Sequence, residues 1–181
     1  MLWGICEVES IMTKLFIDCG YYRGMVQDFY RKAGILDDSW EIVAFEASPE
    51  IDVPDWVIKK AVWVHDKGVE FQMGGRNDAG SITGTSGHGD PRLYKVPSFD
   101  FSEYVSKLGE YDYILCSFDI EGAEFTVLEK MLEDGSIDRI DYLDLEFHHR
   151  LMESKNQDDA QVLINKILSR GVGIRLKVPL N

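Results

Sequence analysis

LFIDCGYYRG, residues 15–24, joins an apolar run to an aspartate and then sets two glycines four positions apart. Leu15 to Cys19 read as a buried strand, and the residues that follow read as a tight turn. Gly20 permits a backbone conformation closed to other residues, so another group can approach the main chain there. Gly24 opens a helix whose Met25, Val26, Phe29, Tyr30 and Ala33 fall on one face, with Gly34 placed to stop it. The turn should bring backbone amides close to something bound. A strand that passes through such a turn into a helix is one unit of an alternating chain.

Working outward, the alternation continues. WEIVAFEAS (40–48) is a second strand with polar residues, Glu46 and Ser48, at its end. PEIDVPDW (49–56) holds two prolines and has little room for a helix. WVIKKAVWVH (56–65) and GVEFQM (68–73) are strand candidates. Residues 74–92, rich in Gly, Ser and Thr, read as one long loop. SFDFSEYVSKL (98–108) is a short helix, YDYILCSFDIEG (111–122) a buried strand and turn, and AEFTVLEKMLEDG (123–135) a helix. IDYLDLEFHH (140–149), DDAQVLINKILSRG (158–171) and IRLKVPLN (174–181) add a strand, a helix and a last strand. This order predicts a single-domain, Rossmann-like α/β fold, a mostly parallel twisted sheet with helices on both faces.

In such sheets ligands sit beyond the carboxyl ends of the strands, where the strand order reverses. The rule selects five segments: Asp18–Gly24, Glu46–Pro49, Ala61–His65, Asp119–Glu124 and Glu146–His149. Each carries polar or small residues at a strand end.

Composition narrows the partners. The 181 residues carry 32 acidic and 19 basic side chains, a formal charge of −13, which excludes a general binder of nucleic-acid backbones. No apolar run approaches the roughly 20 residues needed to span a bilayer, so no membrane partner is expected. Cys6, Cys19 and Cys116 form no CxxC pair and read as free thiols in a reducing, cytoplasmic compartment. Residues 1–13 read as a leader or extension and 14–181 as the working domain. No sequence signal fixes an oligomeric state.

The chemistry follows from residue types. Asp18 stands where the dinucleotide fingerprint has glycine; it would repel a pyrophosphate and could accept a bond from a ligand ammonium group. S-adenosylmethionine carries one such amine. Glu46 follows Gly24 by 22 residues, close to the roughly 20 expected of an acid that binds ribose hydroxyls. Asp119 ends a buried strand at the ligand crevice, whereas Glu121 and Glu124 suit the start of the next helix. His148, near neutrality in its ordinary pKa, is a candidate general base. Asp119, Glu121, Glu146 and His148 could converge on a divalent cation. No metal is expected, because only Asp119 and His148 lie plainly at strand ends and no tight ligand spacing is present.

FIDCGYYRG, AFEASPE, AGSI, FDIEGAEFTVLEKML and LEFH occur in an order and spacing that resembles the FkbM-type methyltransferases, over roughly residues 14–150. The resemblance implies a class I methyltransferase that uses S-adenosylmethionine and acts on hydroxyls of sugars or natural products. Family members usually have a lysine two positions before the aspartate of DIEGAE, where this chain has Ser117. The expected cofactor-binding residues are Asp18, Gly20, Tyr21, Gly24, Glu46, Ala47, Ala61, Ser81 and Asp119. His148 and Asp119 are the expected catalytic residues. Arg76, Asn77, Asp78, Ser81 and Thr83 in the loop suit a small-molecule or glycan acceptor with several hydroxyls. Two rivals are a nicotinamide-dependent oxidoreductase, against which Asp18 argues, and a non-catalytic module that retains the cofactor pocket.

Overall fold

The apolar runs around LFIDC and YILCSF become neighbouring strands. In the computed structural model, which describes residues 12–74, 80–82, 92–148 and 155–177, β1 (Lys14–Cys19) pairs in parallel with β2 (Trp40–Phe45) on one side. On its other side β1 pairs with β8 (Tyr113–Phe118). Beyond β8 lie β9 (Tyr142–Leu145) and β10 (Gly173–Leu176), also parallel, giving the order β10-β9-β8-β1-β2. The chain moves outward from β1 in one direction first and in the other later, so the order reverses between β1 and β8. That is the crevice the sequence pattern selects.

Helices cover both faces, unequally. α2 (Phe101–Ser106), α3 (Glu124–Asp134) and α4 (Gln157–Leu168) pack on one face, around Leu15, Ile17, Cys116, Phe118 and Leu143. α1 (Met25–Lys32) covers the other, where Tyr30 meets Phe16, Leu36 and Leu115. Period-2 alternation assigns the strand residues to the two faces. Cys19 and Cys116 are buried free thiols in the larger core; Cys6 lies outside the described residues.

Three expectations need correction. First, α1 does not bury its whole apolar stripe: Tyr30 is buried, but Met25 and Phe29 are 59% and 49% exposed. Second, WVIKKAVWVH yields only β3 (Ala61–Trp63), which pairs with β7 (Ser98–Asp100); before it Ile58 makes one isolated bridge to Phe45, and Lys59 turns to the Ser48 and Ile51 carbonyls. Third, the 74–92 segment is not all loop. β5 (Gly80–Ser81) and β6 (Arg92–Val96) flank β4 (Val69–Met73) in a small antiparallel sheet. Arg76, Asn77, Asp78 and Thr83 fall outside the described residues. The absence of a helix in 49–56 and the helix stop at Gly34, which has φ +72°, match the sequence reading.

Candidate active site

All five strand-end segments border one cavity of about 780 Å³. Gly20 and Tyr21 come from the turn after β1, Glu46 and Ala47 from the end of β2, and Ala61 from β3. Asp119 and Glu121 follow β8, and Glu146 and His148 follow β9. Asp18, Gly24 and Ser81, also expected at the cofactor site, stand outside this lining.

The first turn spends its amides internally. The Gly20 and Tyr21 N–H groups both donate to the Phe45 carbonyl at 3.0 Å, and Gly24 N–H donates to the Tyr21 carbonyl. The expectation that these amides face a ligand is therefore corrected. Gly20 is required for a different reason. Its φ is +95°, and a Cβ there would lie 2.0 Å from the Asp119 carbonyl oxygen, since the turns after β1 and β8 pack backbone to backbone. Asp119 N–H donating to the Cys19 carbonyl at 3.0 Å closes the same joint.

Glu46 is 6% exposed and its carboxylate is held by two main-chain donors: Tyr22 N–H to Oε2 at 3.1 Å and Ser48 N–H to Oε1 at 2.7 Å. Each oxygen accepts one bond from the protein and retains capacity for another. A carboxylate fixed in this way at the rim of a cavity is ready for a pair of hydroxyl donors. Asp18 is fully buried; Gln27 Nε2 donates to its Oδ2 at 3.1 Å, while Oδ1 has no hydrogen-bond partner. Burial pushes its carboxyl up to about 7, against the pull of Gln27 and Lys177.

Across the cavity the carboxylates crowd together. The DIEG turn carries Glu121 in the left-handed region, φ 52°, a strained conformation for a non-glycine residue. Two contacts hold it there. Ser81 Oγ donates to the Glu121 carbonyl at 2.6 Å, which gives Ser81 a structural place behind the site. Ile120 and Gly122 N–H both donate to the Glu124 carboxylate at 2.9 Å. Glu124, fully buried, also meets His148 Nδ1 at 3.0 Å. The other imidazole nitrogen, Nε2, faces Glu146 at 3.5 Å, Glu121 at 3.6 Å and Asp119 at 3.8 Å. Burial pulls the His148 imidazole down, but the bond to Glu124 and the surrounding carboxylates outweigh it and lift it to about 9. Burial pushes Glu121 up to about 7 and raises Glu146 as well, with like-charged neighbours adding to the rise.

The sheet face under α1 carries a polar row in register: Asp18, Ser117, Asp144 and Arg175 on β1, β8, β9 and β10. Arg175 forms a two-pronged pair with the buried Asp144 at 2.8 and 2.7 Å, its guanidinium 4.6 Å from the Phe29 ring centroid. Ser117 is buried and its hydroxyl has no partner. Lys177 supplies the basic group nearby: its Nζ lies 3.6 Å from Asp119 Oδ2 and borders the cavity, without a hydrogen bond.

Arg175 and Lys177, and the apolar wall of Met25, Val26 and Phe29, are lining residues that sequence reading missed, and Glu124, behind the lining, is missed as the partner of His148. The apolar triplet looked like core because spacing cannot distinguish a face turned to a cavity from one turned to the interior. No local signal points to Lys177, because only the pairing of β10 with β9 brings it beside Asp119.

Among the described residues, no helix is long and apolar enough to cross a membrane. No curated protein and no solved structure matches the chain significantly. Residues 18–171 match the methyltransferase FkbM domain, a span that runs from Asp18 through the five strand-end segments and α4 and stops before β10. The chain belongs to the FkbM methyltransferase family.

Proposed function

We propose that the protein is an S-adenosylmethionine-dependent O-methyltransferase acting on a hydroxyl of a sugar or glycan. The observation that carries this reading is the single cavity at the strand-order reversal, with Glu46 at one end and Asp119, Glu146 and His148 at the other. Its volume of about 780 Å³ lies within the roughly 300–1,000 Å³ of small-molecule sites. Glu46 receives the ribose hydroxyls of the donor, with Gly20, Tyr21, Ala47 and Ala61 around it. Asp18 acts from behind this wall, through Gln27 and the turn.

The acceptor lies over the polar end. Bound beside Glu46, S-adenosylmethionine would supply a methyl on a sulfonium, which the acceptor oxygen would take while the bonding pair stayed on sulfur as a neutral thioether. The hydroxyl proton passes to a carboxylate of the cluster. Asp119 is first in line, with a side chain 32% exposed toward the cavity, while the His148 ring is held between Glu124 and three other carboxylates. Holding donor and acceptor in line can contribute on the order of 7–11 kcal/mol of the barrier. A charged, polar floor favours an acceptor rich in hydroxyls over an apolar ring.

Calorimetry with S-adenosylmethionine tests the donor end: Glu46→Ala should weaken binding by roughly 1.5–3 kcal/mol. Equal affinity in parent and variant would remove Glu46 from the site. A panel of free and nucleotide-linked sugars, glycosides, catechols and amines, scored by release of S-adenosylhomocysteine, tests the acceptor. Turnover confined to catechols or amines would sink the sugar reading.

A further inference from the structure

The sequence-level reason for expecting no metal was that only Asp119 and His148 stood at strand ends. The fold places one ligand atom each of Asp119, Glu146 and His148 within 4.8 Å of one another. The imidazole is oriented for such a role. Glu124 holds Nδ1 at 3.0 Å and is itself fixed by two backbone amides, the carboxylate–histidine arrangement that sets ring direction in metal sites. His148 is buried by this packing (3% exposed), and among the described residues the contacts that Nε2 makes are with carboxylates alone. It points among three carboxylate oxygens at 3.5–3.8 Å, beyond the usual range of about 2.7–3.2 Å. Asp119 divides its oxygens: Oδ2 faces Lys177, and Oδ1 faces Nε2. An entry path exists, because the Asp119 and Glu121 side chains are 32% and 28% exposed on the cavity.

We propose that Asp119, Glu146 and His148 bind a divalent cation, with manganese favoured over magnesium. Two carboxylates and one imidazole make a donor set that suits manganese, whereas magnesium prefers oxygen ligands and retained waters. At metal–ligand lengths of roughly 2.0–2.2 Å, ligands in adjacent positions lie about 3 Å apart, so a small contraction of the cluster closes the site. Glu121 remains beside it as an additional carboxylate. The inference rests on the methyltransferase reading only for its use: a cation there would hold the acceptor oxygen and make its proton easier to lose.

The test uses the full chain stripped with EDTA, with neither donor nor acceptor present. Manganese is titrated at physiological salt and free ion is followed by electron paramagnetic resonance. One equivalent should bind per chain, and Asp119→Asn and His148→Gln should each weaken it by at least about tenfold. Should either variant fail to fold, the parent decides: bound manganese must broaden the His148 ring resonances in proton NMR before those of His65. Absence of a stoichiometric site at millimolar manganese, or a site that leaves His148 unbroadened, overturns the proposal. Methyl transfer that persists undiminished in EDTA, with no manganese bound, overturns the cation and leaves the methyltransferase reading standing. Manganese bound at His148 with no methyl transfer to any acceptor does the reverse.

Discussion

The crevice above β1 and β2 and the one above β8 and β9 use the same kinds of side chain and handle charge in opposite ways. In the first, Glu46 is satisfied by the amides of Tyr22 and Ser48, neutral donors fixed by the backbone. In the second, Asp119, Glu121, Glu124 and Glu146 gather round one imidazole, and Glu121 is pushed up to about 7. The first arrangement suits a ligand that offers hydroxyl donors to a fixed carboxylate. The second sets four carboxylates against one imidazole and Lys177, an excess of acid that suits a reactive centre. The two meet at Gly20, where one turn rests on the carbonyl of the other.

Gly20→Ala should break both crevices at once. The added carbon has nowhere to go at 2.0 Å from a backbone oxygen, and φ +95° is strained for alanine. A loss of about 3–5 kcal/mol in urea unfolding is expected, together with loss of donor binding. A variant that unfolds at the parent's urea midpoint would show that the two turns are not coupled.

Asp18→Asn sharpens the contrast by acting behind the first crevice alone. A folded-state value near 7, against an unfolded value near 4, means that the folded protein binds more protons through that window. Stability therefore falls as pH rises from about 4 to about 7 and stays low above it. The variant should be more stable than the parent at pH 8, by roughly 2–4 kcal/mol, and no different at pH 3.5. Thermal melts across that range check it; a constant difference at every pH would show that Asp18 does not titrate this way.

The smallest expected effect falls on the second crevice. Glu124→Gln keeps the shape and one acceptor oxygen for the turn, but loses the charge-assisted bond to His148. A destabilisation of about 1.5–3 kcal/mol is expected, with S-adenosylmethionine affinity unchanged. Weaker donor binding in this variant would mean that the two crevices are not separate.

The two crevices were also unequally legible in the sequence. The strands, the reversal point and the polar strand ends follow from period-2 burial and glycine placement, which are local, so Glu46, Asp119 and His148 could be singled out. The function of Gly20 could not, because it depends on a carbonyl about a hundred residues away that only the fold brings near. Glu124 resembled an ordinary helix-start acid, which it is, and its bond to His148 joins the start of α3 to the segment after β9. β5 and β6, which flank the expected strand β4, were missed because GS and RLYKV beside a run of glycines and serines alternate too weakly to register as strands. α1 was misread for a related reason: Met25 and Phe29 face a cavity, and a cavity wall is as apolar as a core.

The last strand carries a consequence for the order in which the molecule can be made. β10 delivers Arg175 and Lys177, the basic partners of Asp144 and Asp119, and both residues border the cavity. Before β10 pairs with β9, Asp144 has no counter-charge, and removing an unpaired carboxylate from water is strongly unfavourable. The face of β9 must then stay hydrated while the rest of the sheet assembles. A ribosome that has passed residue 171 has already translated the whole stretch that matches the family, yet its nascent chain still lacks the Arg175 and Lys177 side of the cavity. The cavity therefore depends on a strand that lies outside the stretch by which the family is recognised.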